Sequence, residues 1–384
     1  MLTQTWALFV AAYRELNAKK LFWITMGINL LAVVLFGSFG INEQGITLLH
    51  WQIDAEFFNT GNISSGLFYR FLFANFFIPV WLTWAATILA LISTAGIIPD
   101  LVRGGVIETM LSKPISRTRL FLTRYATGLL FVLGQVGVFT LGCLLVMGIR
   151  GGVWDVQLFL AVPIVLVFYS YLFGVCALLG ILTRSTITAL LLTLVVWLLL
   201  WTTNEADEYL ILQRSGAEIR VEDLEEQETN RQSLLDSTLR RASDDSDPAD
   251  RELAERAVDT QRSRLETTQT ELAQARETLE RWQTWTGYIG MARSVLPKTS
   301  ETIGLLDRYL ISQEELERLF MQESGVRIDS DGEDPFAAMS DPRVIQRSEE
   351  AMRDRSVLWI VGTSLLFEAL VLGLATLLFV RRDF

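Results

Sequence analysis

The stretch Val156-Gln-Leu-Phe-Leu-Ala-Val-Pro-Ile-Val-Leu-Val-Phe-Tyr-Ser-Tyr-Leu-Phe-Gly-Val-Cys-Ala-Leu-Leu-Gly-Ile-Leu182 decides the fold class. It contains no Asp, Glu, Lys or Arg, and as helix it exceeds the roughly 20 apolar residues needed to cross about 30 Å of hydrocarbon. Five further runs with few charges follow the same rule: Leu21 to Ile41, Phe71 to Ile98, Leu120 to Ile149, Ile187 to Thr203 and Val357 to Val380. Apolar residues make up 51% of the 384-residue chain, more than one soluble core of this size needs. Backbone in lipid must satisfy its own polar groups, which for runs of this length means helix. The expected fold is all-α, a polytopic membrane protein with six transmembrane helices. A polar, amphipathic segment precedes the first run and no small-residue cleavage site follows it, so that run reads as a retained span and not a signal peptide.

The formal net charge of -11 conceals two opposite halves. Residues 204–356 hold 20 Lys/Arg and 35 Asp/Glu, a balance of -15, which leaves about +4 for the rest. An acidic polar insert on a mildly basic apolar body lacks the basic surface that nucleic-acid phosphates require. Basic residues in short flanks stay on the cytoplasmic side. Arg14, Lys19, Lys20, Arg103, Lys113, Arg117, Arg119, Arg124, Arg184, Arg381 and Arg382 fall on one side of the six runs, against Arg70 and Arg150 on the other. This predicts cytoplasmic N and C termini, a cell (inner, cytoplasmic) membrane location, and an extracytoplasmic insert between the fifth and sixth spans.

Four divisions follow: a cytoplasmic interfacial elbow helix over 1–20, spans one to five over 21–203, the insert over 204–356, and the sixth span with its tail over 357–384. In the elbow, Trp6, Phe9, Val10, Tyr13 and Leu16 make one apolar side, suited to lying on the inner leaflet. Within the insert, Leu265, Leu272 and Leu279 recur every seven residues, with Val258, Gln261, Thr268, Ala275 and Trp282 between them, which is a coiled-coil seam with polar breaks. A second helix is predicted from about Glu218 to Arg241. The Asp/Ser/Pro run Ser243 to Pro248 supplies a turn between them, so the insert is expected to be a helical hairpin, pairing within one chain or between chains. Trp282 to Tyr288 is aromatic enough for a membrane interface, and residues 324–342 read as loop.

The cytoplasmic connection between the second and third spans reads Asp100-Leu-Val-Arg-Gly-Gly-Val-Ile-Glu108-Thr-Met-Leu-Ser-Lys-Pro-Ile-Ser-Arg117-Thr-Arg119. Ile98, Leu101, Val102, Ile107, Met110 and Leu111 can form an apolar face, with Asp100, Arg103 and Glu108 on the polar side, as in a short helix that presses into a partner's groove. The segment resembles the block of the ABC-2 type permease family in which two acidic residues flank a glycine before a Leu-Ser-Lys-Pro-Ile-Ser-Arg run. The six-run layout, the basic elbow, the large fifth-to-sixth loop and the Arg-Arg-Asp-Phe end extend the similarity along the chain. The nearest branch is similar to the permeases of nitrous-oxide-reductase (multicopper enzyme) maturation systems, although the long helical insert departs from that compact pattern. The resemblance implies that residues 99–119 form a coupling helix touching a separate ATP-hydrolysing subunit, with Asp100, Arg103, Gly104, Glu108, Lys113, Pro114 and Arg117 at the contact. It also implies pairing with a second copy or a paralogue, and export or extraction of an unidentified substrate.

What is missing agrees with a non-catalytic chain. No Gly-x-x-x-x-Gly-Lys-Ser/Thr phosphate loop occurs, so ATP and its magnesium belong to the partner and no cofactor is expected here. The single histidine, His50, cannot supply a zinc site, and Cys143 and Cys176 lie within spans, where no disulfide framework follows. Glu368 sits near the middle of the last run, where a carboxyl is costly unless it meets a partner or a watery path, so it is the intramembrane polar candidate, with Asn29, Asn75 and Gln135 as conceivable partners. A competing function is a multi-span anchor whose coiled coil recruits an extracytoplasmic partner protein.

Overall fold

The computed structural model describes residues 20–54, 59–61, 63–102, 116–244, 248–310 and 341–381, together with Val10, Arg14 and Ala18. The described residues are mostly helical, with one small sheet. Its helices are α1 (Lys20–Ser38), α2 (Ser65–Leu72), α3 (Thr87–Thr94), α4 (Ile97–Val102), α5 (Arg117–Val146), α6 (Ala161–Thr183), α7 (Thr186–Asp244), α8 (Pro248–Val295), α9 (Thr299–Leu310), α10 (Pro342–Arg353) and α11 (Val357–Arg381). Among the described residues, six helical stretches are long and apolar enough to cross a membrane: Lys20–Ser38, Ser65–Val102, Arg117–Gly151, Val156–Thr183, Thr186–Ser243 and Val357–Arg381. These lie close to the runs read from sequence.

Two compact units result. The first holds the described parts of 1–202, 295–327 and 357–384, and the second those of 203–294 and 328–356. Residues 295–310, which the sequence assigns to the insert, therefore belong with the apolar helices, where α9 packs on α6 and on the second span.

Within the first unit the fourth span is central: 72% of its most apolar window is buried, against 22% for the fifth and for the sixth. It touches α5, α9 and α11. Helices approach closely where glycine removes the side chain, since a Cβ on Gly142 of α5 would lie 2.7 Å from Val33 of α1. Phe36, Phe73, Phe77 and Phe139 fill the neighbouring core with edge and stacked ring contacts.

Local chemistry sets the element ends. Ser64 and Ser116 cap α2 and α5 by accepting from Leu67 N and Arg119 N. Arg184, at φ 54, closes α6 in the left-handed region, so two residues suffice to turn the chain into α7. The second span widens into a π-helix over Phe73–Ala86, which contains Pro79. Proline has no N–H to offer the ladder, and Thr83 and Thr87 hydroxyls donate to the carbonyls of Ile78 and Leu82, five residues back.

Two sequence expectations change. The first span stops at Ser38, not Ile41, because Phe39 begins an antiparallel meander of β1 (Phe39–Asn42), β2 (Gly45–Leu48) and β3 (Trp51–Asp54). Asn42 Oδ1 accepts from Gln44 N and Gly45 N, and Gly45 takes φ 146, which closes the first turn. The helix predicted from Glu218 has no start of its own, since α7 runs unbroken from Thr186 into the insert.

In the second unit α7 and α8 run antiparallel, as Glu225, Glu228 and Arg231 meet Arg276, Gln269 and Thr268 in descending order. Val221 and Leu224 pack on Leu272 and Ala275, with Leu279 partly covered and Leu265 half-buried. The α10 helix is held on α7 by the bidentate pairs Arg343–Asp223 and Arg347–Glu222, and by Val344 against Gly216. Burial works to raise the Asp341 carboxyl, but the hydrogen bonds and charge of Arg343 outweigh it and hold the group below its ordinary value.

Candidate functional site

The residues that could act fall into three places. The first is the segment between the second and third spans. Asp100 is exposed on α4, while its neighbours Ile98 and Leu101 are sunk in the bundle core and Pro99 lies against Gly180 of α6. The apolar face expected to meet a partner is thus spent, in its described part, on the chain's own core. At the other end Ser116 caps α5, and Arg117 Nη1 donates to the carbonyl of Val380 at 3.1 Å, tying the third span to the end of the sixth. A basic side chain on the orphan carbonyls of a helix C-terminus is favourable there. Arg103, Gly104, Glu108, Lys113 and Pro114 lie outside the described residues, as do Ile107, Met110 and Leu111, and Trp6, Phe9, Tyr13 and Leu16 of the elbow.

The second place is a polar seam on the buried face of α11. Ile360, Ser364 and Glu368 recur every four residues, so they share that face. Glu368 Oε1 lies 2.8 Å from the Tyr125 hydroxyl of α5, and Oε2 lies 2.7 Å from the Ser170 hydroxyl of α6. Gly174, one turn along α6, would bring a Cβ only to van der Waals contact with the Glu368 side chain. The partners offered by sequence are engaged elsewhere: Asn29 accepts from Trp81 Nε1, Gln135 donates to Thr25, and Asn75 donates to the Phe71 carbonyl. Tyr125 and Ser170 carry no motif, and only their meeting with α11 makes them a site.

Lys298 is part of the same seam and was not foreseen. It is 1% exposed. Its backbone N–H donates to Ser364 Oγ at 2.9 Å, and its ammonium donates to Thr363 Oγ1 at 2.7 Å while standing 4.2 Å from the centroid of Trp359. The Tyr171 hydroxyl of α6 is buried and has no hydrogen-bond partner among the described residues. The Thr363 hydroxyl, the Leu296 carbonyl at 3.4 Å and the Trp359 ring thus surround the buried ammonium.

The third place lies in the second unit. Asp207 of α7 is buried and receives Arg293 of α8 and, at 2.8 Å, Arg355. Arg293 also donates to Asn204 at 3.1 Å. Two guanidinium groups on one carboxylate join three segments of this unit. The group works as a clamp.

No group of three or more His, Cys, Asp or Glu suited to a metal occurs among the described residues. Cys143 and Cys176 are buried and unbridged. No family model matches the chain, and no curated protein or solved structure matches it.

Proposed function

We propose that the chain is the membrane-spanning subunit of an ABC-type transporter, crossing the cytoplasmic membrane six times with both termini inside. A separate ATPase subunit binds the segment around 100–119 and holds the ATP and magnesium, while a second copy or a paralogue completes the path for a substrate that is exported or extracted. The hairpin insert, with Leu265, Leu272 and Leu279 in its coiled-coil seam, meets an extracytoplasmic partner.

One observation carries this reading: both ends of the segment are mechanically tied. Ile98 and Leu101 are buried in the core at one end, and Arg117 grips the last turn of α11 at the other. A force applied between them acts on the second, third and sixth spans together, which is what coupling to an ATPase requires. A plain anchor needs no such linkage.

Purification of the full chain from its own membrane in mild detergent should bring down a stoichiometric subunit bearing a phosphate loop. The pair should hydrolyse ATP and the chain alone should not. Glu108→Arg reverses charge at the proposed contact and should weaken that association with the helical content unchanged. An unaccompanied chain, or normal assembly of the variant, would overturn the reading.

A further inference from the structure

Counting protons around Glu368 leads further. The Tyr125 hydroxyl has two acceptors at 2.8 Å, the Ser170 carbonyl and Glu368 Oε1. The Ser170 hydroxyl likewise has two at 2.7 Å, the Val167 carbonyl and Glu368 Oε2. Each hydroxyl owns one proton and cannot serve both. If Glu368 is ionised, both hydroxyls donate to it, and the two carbonyls keep their helix bonds alone. If Glu368 is protonated, it donates to one hydroxyl, which turns its own proton to the helix carbonyl beside it. Every donor is satisfied in either state, and passage between them needs one proton and the rotation of one hydroxyl.

We propose that Glu368 is a proton-binding site within the span bundle, which takes up and releases a proton while α5, α6 and α11 stay joined. A carboxyl kept only for packing would need partners for one state. Glu368 is buried at 8% exposure, with both oxygens held in the bundle by these hydroxyls. Among the described residues, the titratable groups facing it are Tyr125 on α5 and Tyr171 on α6. From the α9 side comes Lys298, held on Thr363 and Ser364 a turn nearer the start of α11. Arg124 lies about 100° around α5 from Tyr125. The proposal does not rest on the chain's being a transporter subunit, since the carboxyl titrates whether or not an ATPase is bound.

The test is infrared spectroscopy of the full chain in lipid nanodiscs, following the C=O stretch of protonated carboxyls against pH. One band should appear as pH falls and be missing in Glu368→Gln. Tyr125→Phe and Ser170→Ala each remove a donor to the charged form, so each should raise the midpoint by about one to two pH units. These two variants retain the carboxyl, so the assignment survives if the Gln variant fails to assemble. A band that never titrates, or a midpoint that stays put or falls in both hydroxyl variants, would overturn the proposal.

Discussion

Asp207 has the most to lose from a single substitution. Its carboxylate compensates two guanidinium groups, one of them on a side chain only 4% exposed, and removing one member of a buried ionic group leaves the others uncompensated. Asp207→Ala should cost about 3 to 5 kcal/mol, read as an earlier loss of α7–α8 helicity in urea titration of the purified chain. Asp341 is a gentler case at the surface of the same unit. Its carboxyl is held below the ordinary value, so the stabilisation is complete above the unfolded value of about 3.9 and is lost as pH falls through the lower folded value. With the pair exposed, the loss should stay under about 1 kcal/mol. Amide protection in α10, taken relative to intrinsic exchange, should fall as pH drops below about 4, and this fall should be absent in Asp341→Asn.

At the level of elements, the α7–α8 hairpin rests on a short apolar patch. Leu272 is buried and Leu279 and Leu265 partly so, while Thr268 and Arg231 occupy the seam between. Changing all three leucines to Asp replaces roughly 1.5 to 3 kcal/mol of burial at each fully covered position with a charge that needs water. The variant should still reach the membrane and bind the proposed ATPase subunit, but lose hairpin helicity by circular dichroism and lose the function proposed for the insert. Full activity in the triple variant would remove the hairpin from the mechanism. The long apolar helices were legible because length and hydropathy are properties of the segment itself. The meander at 39–54 was not, since Phe39 to Ile41 prolongs an apolar run and only the Asn42–Gly45 turn marks a strand pair. The placing of α9 was hidden for a different reason: Lys298 reads as polar loop until Thr363 and Ser364, more than sixty residues later, come to meet it. Glu368 was legible as a lone carboxyl in an apolar run, and its partners were not.

For the whole molecule, the proposed orientation makes a labelling prediction. Ser246→Cys should react with an impermeant thiol reagent on intact cells, and Ser112→Cys should react only after permeabilisation. The reverse pattern would invert the topology. The order of synthesis adds a consequence of the Glu368 seam. Ser170 precedes Glu368 by 198 residues, which at 5 to 20 residues per second is a wait of about 10 to 40 s on the ribosome. During that interval Tyr125 and Ser170 can turn their protons to the Ser170 and Val167 carbonyls, so neither of these two hydroxyls is orphaned while Glu368 is awaited. The last span is in the opposite position, because its carboxyl entering lipid alone would cost on the order of 3 kcal/mol. Its insertion, which the surrounding apolar residues already favour, is therefore eased further when the earlier spans stand ready to receive it, and this gives the final helix a preference for a bundle whose Tyr125 and Ser170 are already in place.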